Sequence, residues 1–438
     1  MEKQTTGFEI KTEQRQSWTS IAAIWAGGMI CVPCLMIGGV LSGGGLSIGQ
    51  ILVSILIGYA LICGYMIMIG MQACDTGLPV AVMASGALGT KGSRHIISII
   101  LAIACIGWFG IQSATCGSAF ASMIAAMRGG EASSTSVMIW SIVWGVIMLL
   151  TACSGFKGLK WLNYIAVPML LAVCLYGLIA GITKNNGGEA IANYAPAVSS
   201  GLVFGISMVV ASFALGGVIS ADYCRFAKNR GDVVKSSLVG VIPAGLFMLM
   251  TGALMSIVTG QYDISAILSS LGVPFLGLLA LVLATWTTNV TNAYSGGLAL
   301  SNLLGVDEGK FKITTGIAGA CGTLLAALGL LNAFQGFLSL MSGLIPSLAG
   351  VIIAEYWIVD KGNKDNFAIK EGFSAIGIIS YLIGAVVACI TGGTFANFPK
   401  LVVAVPCLYV PFFVGPVNGI VVSLIVYVIL VKCTKNGK

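Results

Sequence analysis

Residues 21–41 read I-A-A-I-W-A-G-G-M-I-C-V-P-C-L-M-I-G-G-V-L, with no charged side chain. About 20 apolar residues is the length a helix needs to cross the ~30 Å hydrocarbon core of a bilayer. Gly27-Gly28, Pro33 and Gly38-Gly39 weaken or remove helical hydrogen bonds inside this run. It reads as a membrane-crossing helix broken near its middle.

Working outward, eleven more apolar stretches follow, at about 48–71, 95–126, 136–153, 159–181, 200–222, 233–258, 272–303, 314–331, 334–358, 373–392 and 412–431. None alternates over ~10 residues as a barrel strand would, so an all-α polytopic membrane protein with twelve transmembrane helices is expected. Composition agrees: charged residues are 8% and hydrophobic ones 57% of 438, against roughly 25% charged in a soluble domain. The 22 basic residues form no dense patch, which argues against a nucleic-acid partner; the partner implied is the lipid bilayer. The 13 cysteines lie mostly within apolar runs and read as small buried hydrophobes. Cys31-x-x-Cys34 is the one spacing suggestive of redox or metal chemistry, and it lacks histidine or further cysteine partners.

Nineteen of the 22 basic residues fall in the tails and alternate connections, and only Arg128, Lys184 and Lys400 fall in the others. By the positive-inside rule both termini face the cytoplasm, in a cytoplasmic membrane. Residues 1–18 carry no secretory signal pattern.

Span 6 repeats the interruption of span 1, with Ser212-Phe213 followed by Gly216-Gly217. Paired broken spans in matching places point to inverted repeats around a central binding site. Glycine is also frequent in membrane helices generally, where it permits close packing. No Asp, Glu, Lys, Arg or His lies near the middle of any span. That argues against a proton relay or a membrane hydrolase, and for a neutral cargo. Any coupling ion must then be held by neutral oxygens. Ala284, Thr287, Thr288, Thr291, Asn292 and Ser295 share one face of span 8 and supply them, with Asn289 an adjacent amide. The same stripe would also serve to glue helices together. In span 3, Cys105, Trp108, Gln112 and Thr115 share a face. Trp108 offers a stacking surface in mid-span and Gln112 a donor and acceptor for an amide-like ring edge. Phe213 could close the other side, or these aromatics could simply pack.

Gly107-Trp-Phe-Gly110, Ser212-Phe213, Ala221-Asp-Tyr-Cys-Arg-Phe226, Trp286-Thr-Thr-Asn289 and Ile345 to Tyr356 together give the chain a resemblance to the nucleobase–cation symporters, cytosine/purine permease branch. The resemblance implies a LeuT-type fold: repeats at 21–181 and 200–358, and two C-terminal helices at 373–431. It implies that Trp108 and Phe213 sandwich the substrate, with Ser212, Gly27 and Cys31 beside it. Sodium would lie among the carbonyls of Gly27, Ile30 and Ala284 and the hydroxyls of Thr287 and Thr288. Cytosine-type relatives tend to carry an amide where this chain has Cys105, and a hydroxyl where it has Leu215. Gln112 instead resembles the amide one turn after the Trp in hydantoin-type relatives.

The expectation is therefore a sodium-coupled symporter importing a nucleobase or similar planar heterocycle, not an enzyme. It needs no cofactor beyond the coupling ion and no obligate protein partner. A hydantoin, allantoin or hydroxymethylpyrimidine carrier, or a proton-coupled one using Asp222, is the alternative. A channel would be expected to show a charged ring or carbonyl filter, and a sensor an attached signalling domain; neither pattern is evident.

Overall fold

A computed structural model describes residues 10, 12–154, 159–183, 186–260, 274–306 and 311–436. Of the basic residues behind the orientation, Lys3, Lys11, Lys157, Lys184, Lys310 and Lys438 lie outside the described residues. The described chain is helical, with no sheet among these residues. The first expected span is two helices, α1 (Trp18–Met29) and α2 (Val32–Gly43). Then come α3 (Ile48–Thr76), α4 (Thr90–Met127), α5 (Ser134–Ser154) and α6 (Leu159–Thr183). The second half comprises α7 (Gly201–Val218), α8 (Arg230–Thr259), α9 (Pro274–Leu304), α10 (Phe311–Ala327) and α11 (Phe334–Ile353). Helices α12 (Ala375–Thr391) and α13 (Gly415–Asn436) close the chain.

A helix thus lies on each of the twelve expected segments. Among the described residues seven helices are long and apolar enough to cross a membrane, or eight with the bent pair α1 and α2.

The 57° bend between α1 and α2 has a local cause. In a continuous helix the Cys31 N–H would bond to Gly27 O and the Cys34 N–H to Ile30 O. Here Cys31 N donates to Met29 O (3.0 Å) and Cys34 N to Cys31 O (3.2 Å). Cys31 adopts an extended conformation as the N-cap of α2, and Pro33 sits in the first turn, where its missing N–H costs little. The carbonyls of Gly27 and Ile30 lose their helical donors.

Packing partners are α1 and α2 with α8, α3 with α7 and α8, and α4 with α9 and α10. Helices α2 and α8 meet backbone to backbone. A Cβ built on Gly38 would lie 2.1 Å from Leu249 O, and one on Gly252 2.1 Å from Leu35 O.

Connections gather on two opposite faces. On one, Arg15 bonds to the carbonyls of Cys74, Arg225 and Ala227, and Arg230 pairs with Asp75. Thr90 N there donates to Lys370 O, so this face is basic. On the other, Tyr194 donates to Ser42 O (2.8 Å) and Ser200 N to Gly44 O (2.9 Å).

Buried Glu355, just past α11, takes bonds from Lys370 Nζ (2.6 Å) and Tyr427 OH (2.8 Å), tying α11 to α13. Lys370→Met should strand this carboxylate. Removing one partner of a fully buried pair costs about 3–5 kcal/mol; Lys370 is 42% exposed, so water will replace part of its effect and about 1–2 kcal/mol is expected. Glu355→Gln should cost less, because its carbonyl still accepts from Tyr427. Thermal unfolding of both variants in detergent checks the order.

Candidate functional site

One face of α4 links two cavities. Cys105, buried, helps line a cavity of about 1080 Å³, with Leu215 of α7 and Asn292 of α9. Arg94, Asp222 and Arg225 also line it and place it toward the basic side. Ten residues on, Thr115 lines a second cavity of about 520 Å³ with Met36, Ser118 and Asn332. Ten residues of helix rise about 15 Å, and Trp108 and Gln112 stand between the two.

Trp108 is half-buried, braced edge-on by Phe337 (5.2 Å, 89°) and Phe334 (6.1 Å, 71°) of α11. Two T-shaped contacts of this kind fix the orientation of the indole plane. Gln112 is 2% exposed, and its Oε1 has no hydrogen-bond partner among the described residues. Buried acceptors are nearly always satisfied, so an orphan here marks a place for a donor.

Phe213 supplies the break expected in the sixth span. Its backbone leaves the helical region (φ −136°, ψ 19°), interrupting α7 two residues before Leu215 on the cavity wall. Its ring lies close over Gly216, and Gly28 faces it at 3.7 Å from a notional Cβ. Trp25 packs edge-on against it (6.1 Å, 84°). Ser212 Oγ donates to Val209 O (2.6 Å) and lies 3.3 Å from the Tyr59 hydroxyl. A Cβ on Gly27 would meet nothing within 4 Å, so the chain is open there. Cys31 is buried, with its thiol on Cys34.

Helix α9 runs antiparallel to α4. Gly296 packs on Cys105, with a notional Cβ 3.3 Å from the cysteine Cβ. Asn289 Nδ2 donates to Phe109 O and Ser113 Oγ, both at 3.1 Å. Thr288 therefore stands at the depth of Gln112. Thr287 and Thr288 both turn their hydroxyls onto Ala284 O at 2.9 Å, so three of the five candidate sodium oxygens form one cluster. The other two, Gly27 O and Ile30 O, are the carbonyls released by the α1–α2 break. Asn289 spends its amide on α4, and Asn292 Nδ2 faces Asn289 Oδ1 (3.4 Å) while lining the larger cavity.

Sequence reasoning missed Tyr59, Trp25 and the Phe334/Phe337 brace. The three-residue spacing of the two phenylalanines shows a common helix face, but nothing in it indicates that Trp108 is the neighbour.

A family model for permeases of cytosine/purines, uracil, thiamine and allantoin matches residues 9–415. Cytosine permease of Escherichia coli (strain K12) is 28% identical over 365 residues, covering 83% of this chain and 81% of that protein. Hydantoin permease of Microbacterium maritypicum is 23% identical over 436 residues, covering 93% and 84%. In fold, the chain is similar to the inward-facing conformation of Mhp1 (TM-score 0.76, 19% identity, 98% of this chain and 94% of that one). It is also similar to Mhp1 closed with bromovinylhydantoin bound (TM-score 0.72, 20% identity, 98% and 94%).

Proposed function

Because the chain belongs to the family of permeases for cytosine/purines, uracil, thiamine and allantoin, and is therefore a membrane transporter and not an enzyme, we propose that it imports a neutral planar heterocycle by sodium-coupled alternating access. One observation carries this reading: Trp108 and the orphan acceptor of Gln112 occupy the septum between two cavities on opposite faces. A heterocycle stacked on Trp108 and capped by Phe213 would be reachable from either side in turn. Base–aromatic stacking contributes roughly 1–3 kcal/mol per base.

The division into 21–181, 200–358 and 373–431 goes with this mechanism. Supporting it, α1 and α2 pack on α8 as α3 packs on α7, the reciprocal contacts two inverted repeats would make. The basic face, with Arg15, Arg94, Arg225 and Arg230, is assigned to the cytoplasm, so the larger cavity faces inward. Cargo of hydantoin type is the second reading, favoured by Gln112 in place of an amide at Cys105.

Uptake of labelled cytosine, uracil, adenine, hypoxanthine and a hydantoin into proteoliposomes, with and without an inward sodium gradient, tests the proposal. Background uptake of all five would sink it. Thr288→Ala should remove one sodium ligand and flatten the sodium dependence of uptake; an unchanged sodium response in this variant would put the ion elsewhere.

A further inference from the structure

Transport as proposed gives Cys34 no task and makes no use of the pairing of the two thiols in Cys31-Val32-Pro33-Cys34. The fold gives this motif a specific setting. Cys31 is the extended N-cap of α2 (φ −144°, ψ 158°) and Cys34 lies in its first turn. The Cys31 thiol donates to Cys34 Sγ at 3.5 Å, and both are free and buried. On α3, the Tyr59 hydroxyl lies 3.3 Å from Oγ of Ser212, the residue before the Phe213 break. The thiol pair thus sits in the break of the first interrupted helix, whose rearrangement alternating access requires.

We infer that Cys31 and Cys34 are an oxidation site, converted by a hydroperoxide into an intramolecular disulfide that fixes the α1–α2 break and arrests transport. One sulfur attacks the peroxide oxygen, giving a sulfenic acid and releasing the alcohol (or water, from hydrogen peroxide). The second thiol then displaces water and forms the S–S bond, so two thiols lose two hydrogens and one peroxide is reduced. The sulfurs need only close from 3.5 Å to about 2.05 Å, within reach of side-chain rotation. The resulting ring includes the backbone of Cys31, the residue at which α2 begins. Access is through the break itself, where Gly27 and Gly28 are exposed.

The arrest rests on the transport reading; the disulfide does not, and the experiment separates them. Full-length protein in liposomes is treated with hydrogen peroxide, its remaining thiols are blocked with N-ethylmaleimide, and its peptides are mapped by mass spectrometry. The 31–34 segment should lose two hydrogens and take no maleimide. Uptake should fall to background and return with dithiothreitol. Cys34→Ala should keep its basal uptake and lose peroxide sensitivity. Both cysteines still alkylated after peroxide would overturn the inference on the unmutated chain, however the variant folds. A disulfide formed with uptake undiminished would overturn the arrest. Absence of uptake before any peroxide would instead count against the transport reading, with the mapping still deciding the oxidation site.

Discussion

Gln112→Leu is expected to raise the melting temperature of the empty protein while weakening its affinity for heterocycle. The side chain is 2% exposed and its carbonyl oxygen has no partner among the described residues. An unsatisfied buried acceptor costs about 1–3 kcal/mol, and leucine fills a similar volume without that burden. When substrate is bound, the same oxygen would accept from a ring N–H, and losing that bond should weaken binding about ten- to a hundredfold. The two effects have opposite signs, so a thermal-shift titration separates them. The empty variant should melt higher, and its ligand-induced shift should shrink toward zero. A variant that melts lower and still shifts with ligand would make Gln112 a structural residue and remove the edge-reading role.

Gly252→Ala or Gly38→Ala should damage the protein severely. A Cβ at either position would lie 2.1 Å from a carbonyl oxygen of the facing helix. The obstacle is backbone on both sides, so no rotamer change relieves it and α2 must move away from α8. Overpacking of this kind costs about 1–3 kcal/mol, and the displaced helix is the one that starts at the Cys31 break. Yield of folded protein and uptake should fall together. Gly64→Ala is the control: the position is inside α3, where a Cβ meets nothing within 4 Å. Alanine there should be neutral or stabilising by about 0.5–1 kcal/mol. Equal melting temperatures for Gly252→Ala and Gly64→Ala would show that the close approach carries no such weight.

Much of the candidate site was legible because helical periodicity is local. The offsets of Cys105, Trp108, Gln112 and Thr115 identify one face before any neighbour is known, and the structure runs that face from one cavity to the other. The Gly27–Pro33 interruption was likewise readable, since weak helix formers and a missing N–H act on the chain's own hydrogen bonds. Phe213 was harder. Its departure from helical geometry has no proline behind it, and it lies where Trp25, Gly28 and Gly216 surround its ring.

By itself, the sequence determined an all-helical membrane chain with a broken first helix, a polar stripe on the eighth span and charge gathered at alternate connections. Those properties follow from hydrophobicity and from bonds between residues at most four apart. Tertiary structure decided which faces meet. It put Asn289 against α4, aimed two threonine hydroxyls at one carbonyl, set Trp108 against two phenylalanines, left Gln112 Oε1 without a partner among the described residues and laid the Cys31 thiol on Cys34. Such contacts depend on how helices rotate and cross, and close approaches such as Gly38 on α8 set that geometry between residues about 200 positions apart.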